Sequence, residues 1–129
     1  MFINCIFAIG SQSTCAKKCE YYDGKWRSTE DLNHNADKYS RGVIFDNKIF
    51  IFNRKTIEYY SLSDNKWVDC VFMSLYLYYI KGYSLVAKDD HIAVIGGTGN
   101  GISLFYPREG RWVINHEIIN FGPCTAAIF

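Results

Sequence analysis

Three short apolar blocks recur along the chain, each closed by a turn signal. They are Ile6-Phe7-Ala8-Ile9-Gly10-Ser11, Ile49-Phe50-Ile51-Phe52-Asn53-Arg54 and Ile92-Ala93-Val94-Ile95-Gly96-Gly97. Their first residues stand at 6, 49 and 92, so both intervals are 43 residues. A continuous apolar run ended by a turn predicts a strand buried on both faces. Gly96-Gly97 permits the left-handed backbone and close approach. Asn53 tolerates that region better than most residues, but Arg54 does not, so the second turn must differ from the third.

A second pattern follows each block in phase. It reads Cys19-Glu20-Tyr21-Tyr22-Asp23, Ile57-Glu58-Tyr59-Tyr60-Ser61 and Ile102-Ser103-Leu104-Phe105-Tyr106-Pro107. A turn and a tryptophan come next, at Trp26, Trp67 and Trp112. Glu58 to Trp67 and Ser103 to Trp112 are both nine residues, and the first copy is three residues shorter. Six residues past each tryptophan stands an apolar residue: Leu32, Met73 and Ile118. Ahead of the second and third blocks lie Gly42-Val43-Ile44-Phe45 and Tyr83-Ser84-Leu85-Val86, joined to them by the polar turns Asp46-Asn47-Lys48 and Asp89-Asp90-His91. Each repeat therefore predicts four short strands linked as hairpins, an antiparallel meander. The repeats run approximately over 1–40, 41–81 and 82–129. Side-by-side repetition of such sheets is how β-propellers protect their edges.

These residues resemble the kelch repeat, which carries a glycine doublet, then Glu-x-Tyr-Asp-Pro, then a tryptophan. The doublet is Gly96-Gly97. Glu20, Tyr22, Trp26, Glu58, Tyr60 and Trp67 stand at the motif's positions, and Phe105 and Trp112 match its Tyr and Trp in the third copy. Only the third copy keeps the doublet, and Ser103 replaces the glutamate there. The resemblance spans the whole chain. It implies an all-β, kelch-type β-propeller segment of about three four-stranded antiparallel blades. Propellers typically have four to eight blades, so the ring would be incomplete. Residues Cys124–Phe129 fall where a first strand is expected and could pair with the first block. The aromatic motif residues are expected to fill the space between sheets. An incomplete ring would expose blade faces and edges, and self-association is the expected consequence.

Composition adds limits. Aromatic residues make up 17% of the chain, mostly 10 Tyr and 9 Phe, which favours strands. A net charge of +1 without basic runs gives no footprint for nucleic acid or an acidic membrane. The apolar stretches are too short to span a bilayer as a helix. The five cysteines have no C-x-x-C spacing, which suits buried thiols in a reducing, cytoplasmic setting. No cofactor or metal is expected.

Candidate chemistry is sparse. His34, His91 and His116 are far apart in sequence, and the chain has no nucleophile elbow or metalloprotease motif. The Gly-rich run 96–101 follows a strand but is not followed by a helix, which argues against a phosphate site. The chain is expected not to be an enzyme. Loops are where such a fold varies. Candidate partner contacts are Ser11, Gln12, Arg54, Lys55, Thr98 and Asn100 after the second strands, and His34, Asn35, Lys38, Tyr39, Tyr76, Tyr78 and Tyr79 between blades. The kelch resemblance implies a protein-interaction module, such as substrate recognition for a cullin-type ubiquitin ligase adaptor. Its alternatives are an actin-associated scaffold and a fragment of a kelch-fold oxidase.

Overall fold

The structure, a computed structural model, describes residues 6–10, 16–53, 56–61, 63–72, 82–97 and 102–115. These residues form eleven strands and no helix. The first sheet holds β1 (Ile6–Ile9), β2 (Cys19–Tyr22) and β3 (Trp26–Ser28). The second holds β4 (Arg41–Phe45), β5 (Lys48–Phe52), β6 (Thr56–Ser61) and β7 (Lys66–Phe72). The third holds β8 (Tyr83–Ala87), β9 (Ile92–Gly96), β10 (Ile102–Tyr106) and β11 (Arg111–Asn115). All pairing among them is antiparallel between sequence neighbours, so each sheet is a meander of one contiguous stretch.

The turns follow from their residues. Asp46 and Asn47 both have positive φ, 50° and 57°, and link β4 to β5 through a two-residue loop. That is the hairpin geometry whose twist matches the flanking strands. Gly10 and Gly96, one repeat apart twice over, both take the left-handed conformation, at φ 68° and 77°. Asn53, midway between them, is not among the positive-φ residues, so the second turn does differ. The three-residue deficit of the first repeat falls in the β2–β3 turn. Tyr22 still pairs with Trp26, as Tyr60 pairs with Trp67 and Phe105 with Trp112.

The sheets pack face to face, with the second in the middle. Between the second and third lie Phe45, Phe50, Phe52 and Ile57 against Tyr83, Ile92, Val94 and Phe105, all buried. Between the first and second lie Phe7, Ile9, Cys19, Leu32 and Ala36 against Ile49, Ile51, Tyr60 and Trp67. Side chains alternate across a strand, so β5 feeds both cores: Ile49 and Ile51 face one way, Phe50 and Phe52 the other. Phe52, Phe105 and Trp112 form a ring cluster, with Phe105 stacked on Trp112 at 4.8 Å between centroids. At the hairpin ends, Arg108 pairs with Asp46 at 3.2 Å and lies over the Phe45 ring. Its guanidinium holds the Asp46 carboxyl below the usual range.

Two expectations need correction. The first block was expected to be buried on both faces, yet β1 is covered on one face only, with Ile6 61% exposed. Tyr22 and Trp26 were expected between sheets, yet they lie on the outward face of the first sheet, 38% and 54% exposed. The reason is positional. This face of the second and third sheets has a preceding described sheet to cover it, and the first has none. The first sheet has three described strands rather than four; residues 1–5 and 124–129 lie outside the described residues.

Phe52→Ala should cost about 3–5 kcal/mol in denaturant unfolding, because it opens a cavity against two rings. Ile44→Ala, at a position 53% exposed, should stay within about 0.5 kcal/mol. Equal losses at the two positions would refute the assignment of the core.

Candidate functional site

The connection from β3 to β4, residues 29–40, runs across the junction of the first two sheets. Its backbone is tied first to its own sheet. Thr29 N–H donates to the Cys19 carbonyl at 3.1 Å, Leu32 N–H to Lys17 at 2.8 Å, and Ala36 N–H to Ala16 at 3.0 Å. Leu32 drops into the core beside Cys19. Burial there pushes the Cys19 thiol up to about 11.

The same connection is then tied to the second sheet by polar side chains. Glu58 is fully buried, and its two carboxylate oxygens accept the N–H groups of Asn33 at 2.9 Å and His34 at 3.1 Å. The Asn33 amide donates to the Trp67 carbonyl at 3.1 Å, and the Trp67 indole N–H donates to the Glu30 carbonyl at 3.0 Å. The His34 Nε2 lies 3.0 Å from Asp69 Oδ1. His34, Glu58 and Asp69 thus bring ligand atoms within 4.8 Å of one another, a set that could in principle hold a metal ion. Glu58 spends one oxygen on each backbone donor, so it works as a clamp on the connection. Burial pushes its carboxyl above the ordinary value, and the two donors pull it back only in part.

Beyond the clamp the connection turns sharply. Asp37 N–H donates to Ser40 Oγ at 2.9 Å, Tyr39 N–H to Asp37 Oδ1 at 2.7 Å, and Ser40 Oγ to Asn53 Oδ1 at 2.6 Å. Arg41 donates to the carbonyls of Lys38, Ser40 and Tyr83. The residues before β2 join this end by accepting the Ala36 N–H at the Ala16 carbonyl, and Gly10 N–H closes onto the Lys18 carbonyl beside them. The loop after β5 joins it through Asn53. A cleft of about 390 Å³ opens here between the two sheets. Phe7, Ile9 and Ile51 give it an apolar wall, and Asp37, Ser40 and Arg41 a polar rim. Gly42 lies on its border, where an added Cβ would meet Ile51 Cδ1 at 3.0 Å.

Of the partner contacts expected from the sequence, Lys38 and Tyr39 lie in the turn between the rim residues Asp37 and Ser40 but do not line the cleft, and the Lys38 ammonium is 5.1 Å from the Tyr39 ring centroid. His34 and Asn35 lie on the same connection. Ser11, Gln12, Arg54, Lys55, Thr98, Asn100, Tyr76, Tyr78 and Tyr79 lie outside the described residues. Sequence reasoning placed Glu58 in a structural motif but did not see its clamp, and it gave Asp37, Arg41 and Gly42 no part in a site. Asp37 followed by Ser40 is a turn signal that could have marked this end. No family model matches the chain, and no curated protein matches it. The likeness to kelch repeats therefore rests on the repeat itself.

Glu58→Gln sets an amide NH₂ against one of the two N–H donors and should cost about 1–3 kcal/mol. Folded Glu58 holds its proton more tightly than unfolded Glu58, so the folded state binds more protons just above pH 4.5. Stability from this group is therefore lost as pH rises through that range. The deficit of the variant, measured by urea unfolding, should narrow from acid toward neutral pH. A deficit that widens instead would show that the carboxyl is shifted the other way.

Cys19 should resist iodoacetamide in the native protein at about pH 8, where its thiol stays protonated, and should react in urea. Mass mapping of the alkylated peptides reads this directly, and native labelling equal to that in urea would contradict the burial.

Proposed function

We propose that the chain is a protein-binding module, a kelch-type propeller segment that takes an extended peptide at the end of the sheets where the connection, the β1–β2 loop and the β5–β6 loop converge. The observation that carries this reading is the cleft between the first two sheets. It combines an apolar wall with a polar rim, the lining expected of a site that orients a small segment of a partner. Its floor is made of strands and its rim is braced by Arg41 and Ser40, so little ordering remains to oppose binding. Lys38 and Tyr39, next in sequence to the rim residue Asp37, add a cation and an aromatic ring beside the cleft, and tyrosine is a residue type that anchors interfaces. The clamp at Glu58 holds a backbone rather than a reacting group, which supports binding over catalysis.

The kelch resemblance supports a cellular setting in which the bound partner is the substrate of a cullin-type ubiquitin ligase adaptor. A partner whose ubiquitination does not change when the gene is deleted would argue against that setting. Co-sedimentation with filamentous actin would favour a cytoskeletal scaffold instead.

Selection of a phage-displayed peptide library against the immobilised chain tests the binding reading. Selected peptides should share an apolar residue flanked by polar ones. Gly42→Val, which projects into the cleft, should weaken them about tenfold or more while leaving the melting temperature within a few degrees. Peptides that bind wild type and Gly42→Val alike would place the binding elsewhere.

A further inference from the structure

Strands β6 and β7 set two carboxylates directly opposite each other. Glu58 pairs in register with Asp69, just past a shift in the ladder between Thr56 and Glu58. Like charges in facing positions of an antiparallel pair repel. The repeat does not demand this arrangement: at the same place in the first sheet Glu20 faces Ser28, and in the third Ser103 faces Ile114. Among the described residues neither carboxylate forms an ion pair with a Lys or Arg, and Asp69 pairs with His34 instead. Glu58 is also fully buried, and buried charges are as a rule paired or bound to a metal.

The third group comes from the connection. Glu58 holds the backbone N–H groups of Asn33 and His34, and this brings the His34 ring over the carboxylate pair, with Nε2 3.0 Å from Asp69 Oδ1. One ligand atom from each of the three residues lies within 4.8 Å of the others. In a tetrahedral zinc site, with bonds of about 2.0–2.2 Å, ligand atoms stand roughly 3.3–3.5 Å apart. The His34–Asp69 edge is already that short, and the Asp69 side chain, 63% exposed, is free to adjust. The exposed edges of His34 and Asp69 give an ion its way in. A carboxylate has about four lone-pair sites, and the two N–H donors take one on each Glu58 oxygen. Glu58 therefore keeps lone pairs for an ion while it clamps the connection. The Asn33 amide, 3.3 Å from Asp69 Oδ1, adds an outer hydrogen bond of the kind that orients metal ligands. One imidazole nitrogen and two carboxylate oxygens suit zinc, whereas calcium takes about six to eight oxygens.

We propose that His34, Glu58 and Asp69 bind one divalent ion of the zinc class, a structural ion that ties the connection to β6 and β7. Its double charge neutralises the two facing carboxylates, and a fourth position is left to water. On binding, the imidazole carries its hydrogen on Nδ1, and Nε2 gives its lone pair to the ion. Asp37 and Ser40 of the cleft rim lie farther along the same connection. Metal binding needs no peptide, so it stands or falls apart from the peptide-binding reading.

Titration calorimetry of the full chain with zinc chloride, after treatment with EDTA and dialysis, tests the site. Wild type should bind one zinc ion at micromolar concentration or below and should melt several degrees higher with zinc than in EDTA. His34→Gln and Asp69→Asn leave in place the backbone N–H groups that hold Glu58, so both should melt within a few degrees of wild type in EDTA. Each should weaken zinc binding by at least the roughly tenfold that loss of an outer hydrogen-bond partner costs. His91→Gln, which breaks the exposed pair of His91 with Asp90, should leave the affinity unchanged. Cobalt in place of zinc should give visible bands without the near-ultraviolet thiolate absorption that cysteine ligands produce. A wild-type chain that binds no zinc at submillimolar concentration would overturn the proposal. So would an affinity that survives both His34→Gln and Asp69→Asn, or a thiolate band, which would put the ion on the cysteines.

Discussion

The structure depends on one constraint: its middle sheet must be covered on both faces. Strand β5 alternates Ile49 and Ile51 toward the first sheet with Phe50 and Phe52 toward the third, and all four are buried. Neither face is polar enough to meet water, so the second sheet cannot stand without both neighbours. A unit that cannot bury its own apolar face and is completed by the next is the physics of repeat architectures. It also explains why identical motif letters behave differently. Tyr60 and Trp67 are core because a sheet lies over them; Tyr22 and Trp26 are surface because none of the described sheets does.

The two junctions are built by different means. Between the first and second sheets a buried carboxylate, an indole and an asparagine amide bind the connecting backbone, and apolar contact fills the rest. Between the second and third sheets Ser103 stands where Glu58 does, and the Trp112 indole N–H is buried without a hydrogen-bond partner among the described residues. Ring stacking among Phe52, Phe105 and Trp112 takes over there. A buried donor left unpaired costs about 1–3 kcal/mol, and dense aromatic packing is what offsets such a cost. The first junction is therefore the more directional of the two, fixed by groups that accept only one alignment. The second joins ring packing to polar ties at the strand ends, Arg41 to the Tyr83 carbonyl and Arg108 to Asp46.

Much of this was legible in the amino-acid sequence because it is local. Hairpin strands, their order and the Tyr–Trp pairing follow from apolar runs, turn residues and a constant interval. Even the short first repeat is explained locally, since the β2–β3 turn absorbs the missing residues. What was not legible is what faces what. Glu58 meets Asn33 and His34 from 25 and 24 positions away, and nothing in the local pattern marks a glutamate as a clamp rather than a solvated strand residue. The cleft is composed from β1, the connection, β4 and β5, so no contiguous segment announces it. Exposure of Tyr22 and Trp26 was likewise invisible, because burial belongs to the neighbour and not to the residue.

Stacking sheets by their faces has a consequence for where recognition can sit. The faces between the sheets are consumed by the cores, and the hairpin turns near Asp46 and Arg108 are tied to each other. The converging loops at the opposite end of the strands carry hydrogen bonds that order the backbone but leave a gap between sheets. That gap exists because two twisted sheets joined by a connection cannot close completely where the chain passes from one to the other. Gly10 shows how tightly the passage is fitted: a Cβ there would come within 2.6 Å of the Ala36 Cβ. Close packing around the connection and an open cleft beside it are two results of one geometry. Changes at the rim, at Asp37 or Ser40, alter the lining of the cleft without touching either core, and changes within the cores alter whether the cleft exists at all.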